Sequence, residues 1–262
     1  MKKLKVCLIV FGLILLIWIV VIVCVSKKRS FEDTPSFLTK CNANCKFGSI
    51  PWEGHLDLNP VSINDLKRLS FENFSEDSLR RRKSTLKVMN LKTIDDIQKA
   101  NKKVLEEIDA SKPYTTQVIY LDLQCLKDML GETSLKQLQK LLGPLTKFHL
   151  FKLWINTEGY ATPLHADNVR NVVLQLSGSK RWVIASRKYE KQCYFSHKNK
   201  KNNSYYKVKN PYKPDLNAYP QFKKVKLLYF DMHSGDLLYI PKNYIHFVHS
   251  NDCSIMLSFI FK

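Results

Sequence analysis

Two short strings constrain this chain most: TPLHADN at 162–168 and, much further on, GDLLYIPKNYIH at 235–246. Between them they supply two imidazoles and one carboxylate, His165, Asp167 and His246. Side chains along a β-strand alternate faces, so residues i and i+2 point the same way. One strand carrying His165 and Asp167 therefore presents both to a single metal, with His246 arriving from a second strand. Two imidazoles and one carboxylate on one face of an octahedron leave other positions open, the arrangement of non-haem Fe(II) sites that activate dioxygen.

An H-x-D pair alone is weak in a chain with seven histidines. Its surroundings strengthen it. Pro163 and Leu164 precede the pair and an apolar run, 171–176, follows it. Residues 236–240 read as a buried strand stopped by Pro241, and His246 opens the next strand, 245–250. His249 is the rival third ligand, but three residues from His246 it faces the other side of that strand. His233 falls in a turn. His55, His149 and His197 have no partner at useful spacing and read as structural or surface residues.

From residue 147 onward, strand follows strand: 148–156, 171–176, 181–185, 225–230, 236–240, 245–250 and 254–261. Many short strands separated by turn residues predict a mainly β double-stranded β-helix, a jelly roll of the cupin kind, with flanking helices. Residues 61–146 read as the helical N-terminal part of the same domain, 61–262. Thr93 is a candidate N-cap, and Ile94, Ile97, Val104, Leu105 and Ile108 form one apolar stripe behind it. A strand is expected over 117–123, and short helices over 123–130 and 134–142, ending at Gly131 and Gly143.

The stretch 148–262 resembles the JmjC-type, cupin-fold, Fe(II)/2-oxoglutarate-dependent oxygenases, most of all the small hydroxylase branch that includes the asparaginyl hydroxylase factor-inhibiting HIF. The strings that carry the resemblance are LFKLWI, GYATPLHADN, NVVLQLSGSKRWVI, DLNAYPQF, GDLLYIP and IHFV. It implies that His165, Asp167 and His246 bind Fe(II). It implies that Thr162 and Lys180 hold the distal carboxylate of 2-oxoglutarate and that Asn171 lies near this cosubstrate. Ser258 stands where the HIF hydroxylase has asparagine, and Ile245 where an aromatic residue is usual. The chemistry asks for such a lysine independently. With 2-oxoglutarate chelating iron through its keto acid, its second carboxylate lies deep in the barrel, and a buried unpaired carboxylate is costly. Lys180 opens a strand on which Lys180, Trp182 and Ile184 point inward and Arg181 outward.

Residues 6–25 run without a charge, bracketed by Lys2, Lys3 and Lys5 and by Lys27, Lys28 and Arg29. A bilayer-spanning helix needs about 20 apolar residues. A cleaved signal peptide has a shorter apolar core and a small-residue cleavage site. Residues 1–29 are therefore expected to be an N-terminal transmembrane signal anchor and 30–60 a juxtamembrane linker. Basic flanks at both ends leave the positive-inside rule undecided. The short N-terminal tail favours placing the domain in the lumen of the endoplasmic reticulum. Asn73 and Asn202 begin glycosylation sequons. Cys41 and Cys45 bridge in an oxidising lumen or remain thiols, and their spacing argues poorly for zinc.

The net charge of +19 attracts acidic partners, headgroups or nucleic acid. Much of it sits in 188–213, a polar insertion without apolar periodicity. Its Tyr194, Tyr205, Tyr206 and Tyr212 stack on bases or belong to a solvated loop. The expectation is a membrane-anchored oxygenase hydroxylating a protein side chain. The alternatives are an RNA-modifying oxygenase on the cytosolic face and a non-catalytic, membrane-tethered cupin binding module.

Overall fold

The computed structural model describes residues 39–40, 47, 49, 51–69, 94–107, 115–148 and 150–261. Thirteen strands form two sheets among these residues. They are β1 (Thr39–Lys40), β2 (Trp52–His55), β3 (Thr116–Leu121), β4 (Leu150–Asn156), β5 (Ala161–Ala166), β6 (Arg170–Ser177), β7 (Lys180–Ala185), β8 (Phe195–Lys198), β9 (Ser204–Tyr206), β10 (Leu228–Met232), β11 (Asp236–Ile240), β12 (Ile245–Ser250) and β13 (Ser254–Phe261). One sheet runs β1-β2-β11-β6-β13-β4-β3 and the other β10-β7-β12-β5-β9-β8. This is the mainly β jelly roll that the strand pattern predicts.

Strand alternation sets the layers. Phe151, Leu153 and Ile155 of β4, with Ile255, Leu257 and Phe259 of β13, are buried on the outer face of the larger sheet. There they meet Ile97 and Leu105 of α2 (Ile94–Glu107) and Leu126, Leu135 and Leu138 of α3 (Leu123–Leu142). The intervening positions of β4 and β13 face the other sheet. Between the sheets, Val173, Leu238 and Met256 of one pack on Trp182, Ile184 and Val248 of the other. The side chain of the buried Asn101 docks α2 onto β3 by exchanging two hydrogen bonds with the Tyr120 backbone, at 2.7 and 2.9 Å.

The two short helices expected after β3 are both present within α3, separated by a non-helical break at Gly131 (φ 73°, ψ 164°), and the first is capped by the Asp122 carboxylate accepting from Cys125 N. Several other elements differ from expectation. The stretch expected as linker contributes β2, paired antiparallel with β11, and its buried Trp52 stacks on Tyr239 at 5.5 Å. A short helix, α1 (Ile63–Lys67), follows, closed by a Ser62–Asp65 capping box. The insertion 188–213 is not a bare loop, since it holds β8 and β9, and β9 extends the smaller sheet beyond β5. Its Tyr206 is wholly buried, Tyr194 packs on Tyr219 at 5.0 Å, and Tyr212 packs edge-on to Phe247 at 5.3 Å. Those three rings are committed to the fold rather than offered to bases. Among the described residues no helix is long and apolar enough to cross a membrane. The expected anchor at 6–25, the N-cap at Thr93, Ile108, His149, the sequon at Asn73, and Cys41 and Cys45 lie outside the described residues.

Candidate active site

β5 and β12 run antiparallel with His165 and His246 as direct partners, which brings the two rings to 4.1 Å between centroids. Asp167 follows one residue after β5 ends, where the Asn243 N–H donates to its backbone carbonyl at 2.8 Å. One ligand atom from each of His165, Asp167 and His246 lies within 4.8 Å of the others. His165 Nε2 is 4.0 Å from Asp167 Oδ1, and His246 Nε2 is 3.9 Å from Asp167 Oδ2.

Both imidazoles are held in one tautomer. His165 Nδ1 lies 2.9 Å from the Pro163 carbonyl and His246 Nδ1 2.9 Å from the Tyr244 carbonyl. A carbonyl only accepts, so each Nδ1 carries the proton and each Nε2 lone pair faces the carboxylate. Burial, and then the neighbouring His165, hold His246 well below the usual imidazole range. It is therefore neutral, the form that binds metal. The carboxylate is oriented as well. Asn203 Nδ2 donates to Asp167 Oδ1 at 2.5 Å, and Asn203 is fixed by accepting from Asn168 N at 3.0 Å. Asn203 comes from the polar insertion just before β9, and nothing in the sequence pairs it with Asp167.

The triad opens into a cavity of about 470 Å³ between the sheets. Thr162, Asn171, Lys180 and Ser258 line this same cavity, so all seven residues singled out from the sequence converge on one space. Lys180 is only 2% exposed, points inward with Trp182 and Ile184, and donates to Asn156 Oδ1. It has no ion pair among the described residues, and burial pushes its ammonium down to about 7. Arg181 points outward to Asp231, with two contacts of 2.5 Å. Ser258 is engaged: its hydroxyl accepts from Trp154 Nε1 at 3.1 Å. Asn171 Oδ1 and Trp182 Nε1 are buried and have no hydrogen-bond partner among the described residues. Of the other four described histidines none lines the cavity: His249 contacts Asn251, His55 contacts Asp236, His197 stacks on Tyr205, and His233 lies in the turn before β11.

These features fit a metal with an anionic chelator. Neutral Nε2 donors and an oriented carboxylate suit a divalent first-row ion. A buried ammonium with no carboxylate partner among the described residues, sharing its cavity with a carbonyl oxygen and an indole N–H that have no hydrogen-bond partner there, suits a polar organic anion.

Residues 53–262 match the cupin-like domain, and the chain belongs to that family, of which the JmjC-type resemblance is one expression. It is 32% identical over 101 residues to HSPB1-associated protein 1 of Mus musculus, covering 38% of this chain and 21% of that protein. It is 36% identical over 100 residues to JmjC domain-containing protein D of Dictyostelium discoideum, covering 37% and 21%. It is 30% identical over 108 residues to the human tRNA wybutosine-synthesizing protein 5, covering 41% and 32%. The chain thus spans about a fifth to a third of the length of these relatives. Among solved structures, YcfD of Escherichia coli, a ribosomal oxygenase, aligns with 58% of this chain and 34% of its own at 13% identity and a TM-score of 0.38. These matches do not single out the factor-inhibiting-HIF branch.

Proposed function

We propose that this protein is an Fe(II)- and 2-oxoglutarate-dependent oxygenase that hydroxylates a protein side chain. One observation carries the reading: the His165, Asp167 and His246 triad shares its cavity with Lys180, a buried ammonium without an ion pair among the described residues. His165 and His246 offer Nε2 because each Nδ1 proton is committed to a backbone carbonyl. Asp167 supplies the anionic oxygen, turned by Asn203. Lys180, with Thr162 lining the same cavity, meets the distal carboxylate of the cosubstrate through a charge-assisted hydrogen bond. Trp182, Val248 and Met256 keep water from the space between the sheets. Bound there, iron and 2-oxoglutarate supply the oxidising power, dioxygen and 2-oxoglutarate giving succinate and CO2 as a substrate C–H becomes C–OH.

The membrane anchor at 6–25 belongs to the same proposal and is supported by the length of the uncharged run; a lumenal placement of the domain is proposed with it. A second reading, an RNA-modifying oxygenase on the cytosolic face, draws support from Lys198, Lys200 and Lys201 around the exposed His197. The test is succinate formation by the full chain with Fe(II) and 2-oxoglutarate. His165→Ala and Asp167→Ala are each expected to abolish it and to lower iron occupancy. Unchanged occupancy and turnover in both variants would overturn the assignment. A wild type that takes up no 2-oxoglutarate would favour the non-catalytic binding module.

A further inference from the structure

The cavity holds a second interior lysine that neither the triad nor the cosubstrate uses. Lys152 lies on the inward face of β4 with Trp154 and Asn156. Asn156 serves Lys180 at one end of this row, while Lys152 stands at the other. Its ammonium is 5.6 Å from the Trp154 ring centroid and 5.9 Å from that of Tyr120. Among the described residues it makes no ion pair and no hydrogen bond. Burial, and then the positive charge of Lys201, push it down to about 8, with Asp167 pulling the other way. Lys201, on the turn between β8 and β9, lines the same cavity. A leucine on β4 would fill this position without the cost of drying a charge, so the cation calls for an anion.

The charges show where that anion comes from. A divalent metal, the Asp167 carboxylate, the two carboxylates of 2-oxoglutarate and the Lys180 ammonium sum to zero. Lys152 and Lys201 then remain uncompensated, because Asp167 is already matched to the metal. We infer that Lys152, assisted by Lys201, is a specificity-determining subsite for a carboxylate on the substrate, so that the residue entering the cavity is an aspartate or glutamate of an acidic peptide. Lys152 faces the interior, where the reacting unit itself must lie. In a nucleic acid that unit is an uncharged base or sugar, and the phosphates stay along the backbone outside. An acidic side chain carries its charge inward, as this position requires. The inference rests on the oxygenase reading above.

The test uses the full chain loaded with Mn(II) and 2-oxoglutarate without dioxygen. Calorimetry would follow acetylated, amidated pentapeptides that differ only in a central Asp, Glu, Asn or Gln. The acidic peptides are expected to bind at least tenfold tighter than their amides. Lys152→Met is expected to bring that ratio to within about twofold while still taking up Mn(II) and 2-oxoglutarate, and Lys152→Arg to restore most of it. Equal binding of acid and amide, no binding of any peptide, or a preference untouched in Lys152→Met would each overturn the inference. So would Lys152-dependent binding of a short single-stranded oligoribonucleotide in place of the peptides. A wild type that fails to load with Mn(II) and 2-oxoglutarate would instead sink the oxygenase reading itself.

Discussion

Replacing Lys180 with methionine is expected to stabilise the ligand-free protein and cripple 2-oxoglutarate binding at once. Burial moves the Lys180 ammonium from 10.5 down to about 7. At ~1.4 kcal/mol for each tenfold change in a protonation equilibrium, holding that charge without a carboxylate costs on the order of 5 kcal/mol. Methionine removes the cost but leaves Asn156 Oδ1 without its donor, a loss of about 1–3 kcal/mol. The net gain is then roughly 2–4 kcal/mol, or about 4–16 °C in Tm at ~2–4 °C per kcal/mol for a domain of this size. With its folded value below the unfolded one, Lys180 binds fewer protons in the folded state between about pH 7 and 10.5. Its destabilisation is therefore full below pH 7 and fades as pH rises through that window. The Tm advantage of Lys180→Met should shrink in the same direction. Ligand binding moves oppositely. Removing one side of a buried charge pair costs ~3–5 kcal/mol, a loss of affinity of about a hundredfold or more at ~1.4 kcal/mol per decade. Because 2-oxoglutarate selects the protonated lysine, wild-type affinity should fall as pH rises above about 7, with proton uptake on binding, and the variant should show neither. Differential scanning calorimetry of the metal-free protein and titration calorimetry with Mn(II) in buffers of different ionisation enthalpy measure both. A destabilised variant with unchanged 2-oxoglutarate affinity would refute the reasoning and make Lys180 a structural partner of Asn156.

Asn203→Ala frees the Asp167 carboxylate and is expected to weaken metal binding about 10–100-fold, read by competition for Mn(II); undiminished affinity would mean the backbone alone orients Asp167. Gly178 has φ +67°, and a Cβ there would lie 2.3 Å from the Cys253 carbonyl oxygen. Gly178→Ala should therefore cost at least ~2 kcal/mol in chemical denaturation, and a loss under ~0.5 kcal/mol would show that the turn relaxes. In sealed microsomes the C-terminal domain is expected to be protected from added protease, and its digestion would reverse the proposed orientation and favour the cytosolic RNA reading.

Much of the site was legible because it depends on parity along single strands. The inward order Lys180, Trp182, Ile184 and the outward Arg181 follow from alternation alone, and burial on β7 matches it. The bounds expected for β11, β12 and β13 coincide with those observed, since each is an apolar run closed by proline, glycine or polar residues. The triad was legible for the same reason, with two ligands beside one strand end and the third opening another. Tertiary structure decided what no local period encodes. The insertion 188–213 has no apolar alternation, yet Cys193, Tyr206 and Val208 fold into a core beside β5, and this carries Asn203 to Asp167 and Lys201 to the cavity. The short strand β2 reads as linker because its own four residues bury little, and only pairing with β11 gives Trp52 a place. Lys152 looks like one more lysine in a basic chain, until closure of the two sheets turns its face of β4 inward. A strand's parity is set by its covalent geometry, whereas the partner across a cavity is set by how distant strands assemble. The first was in the sequence, and the second existed only once the sheets had closed.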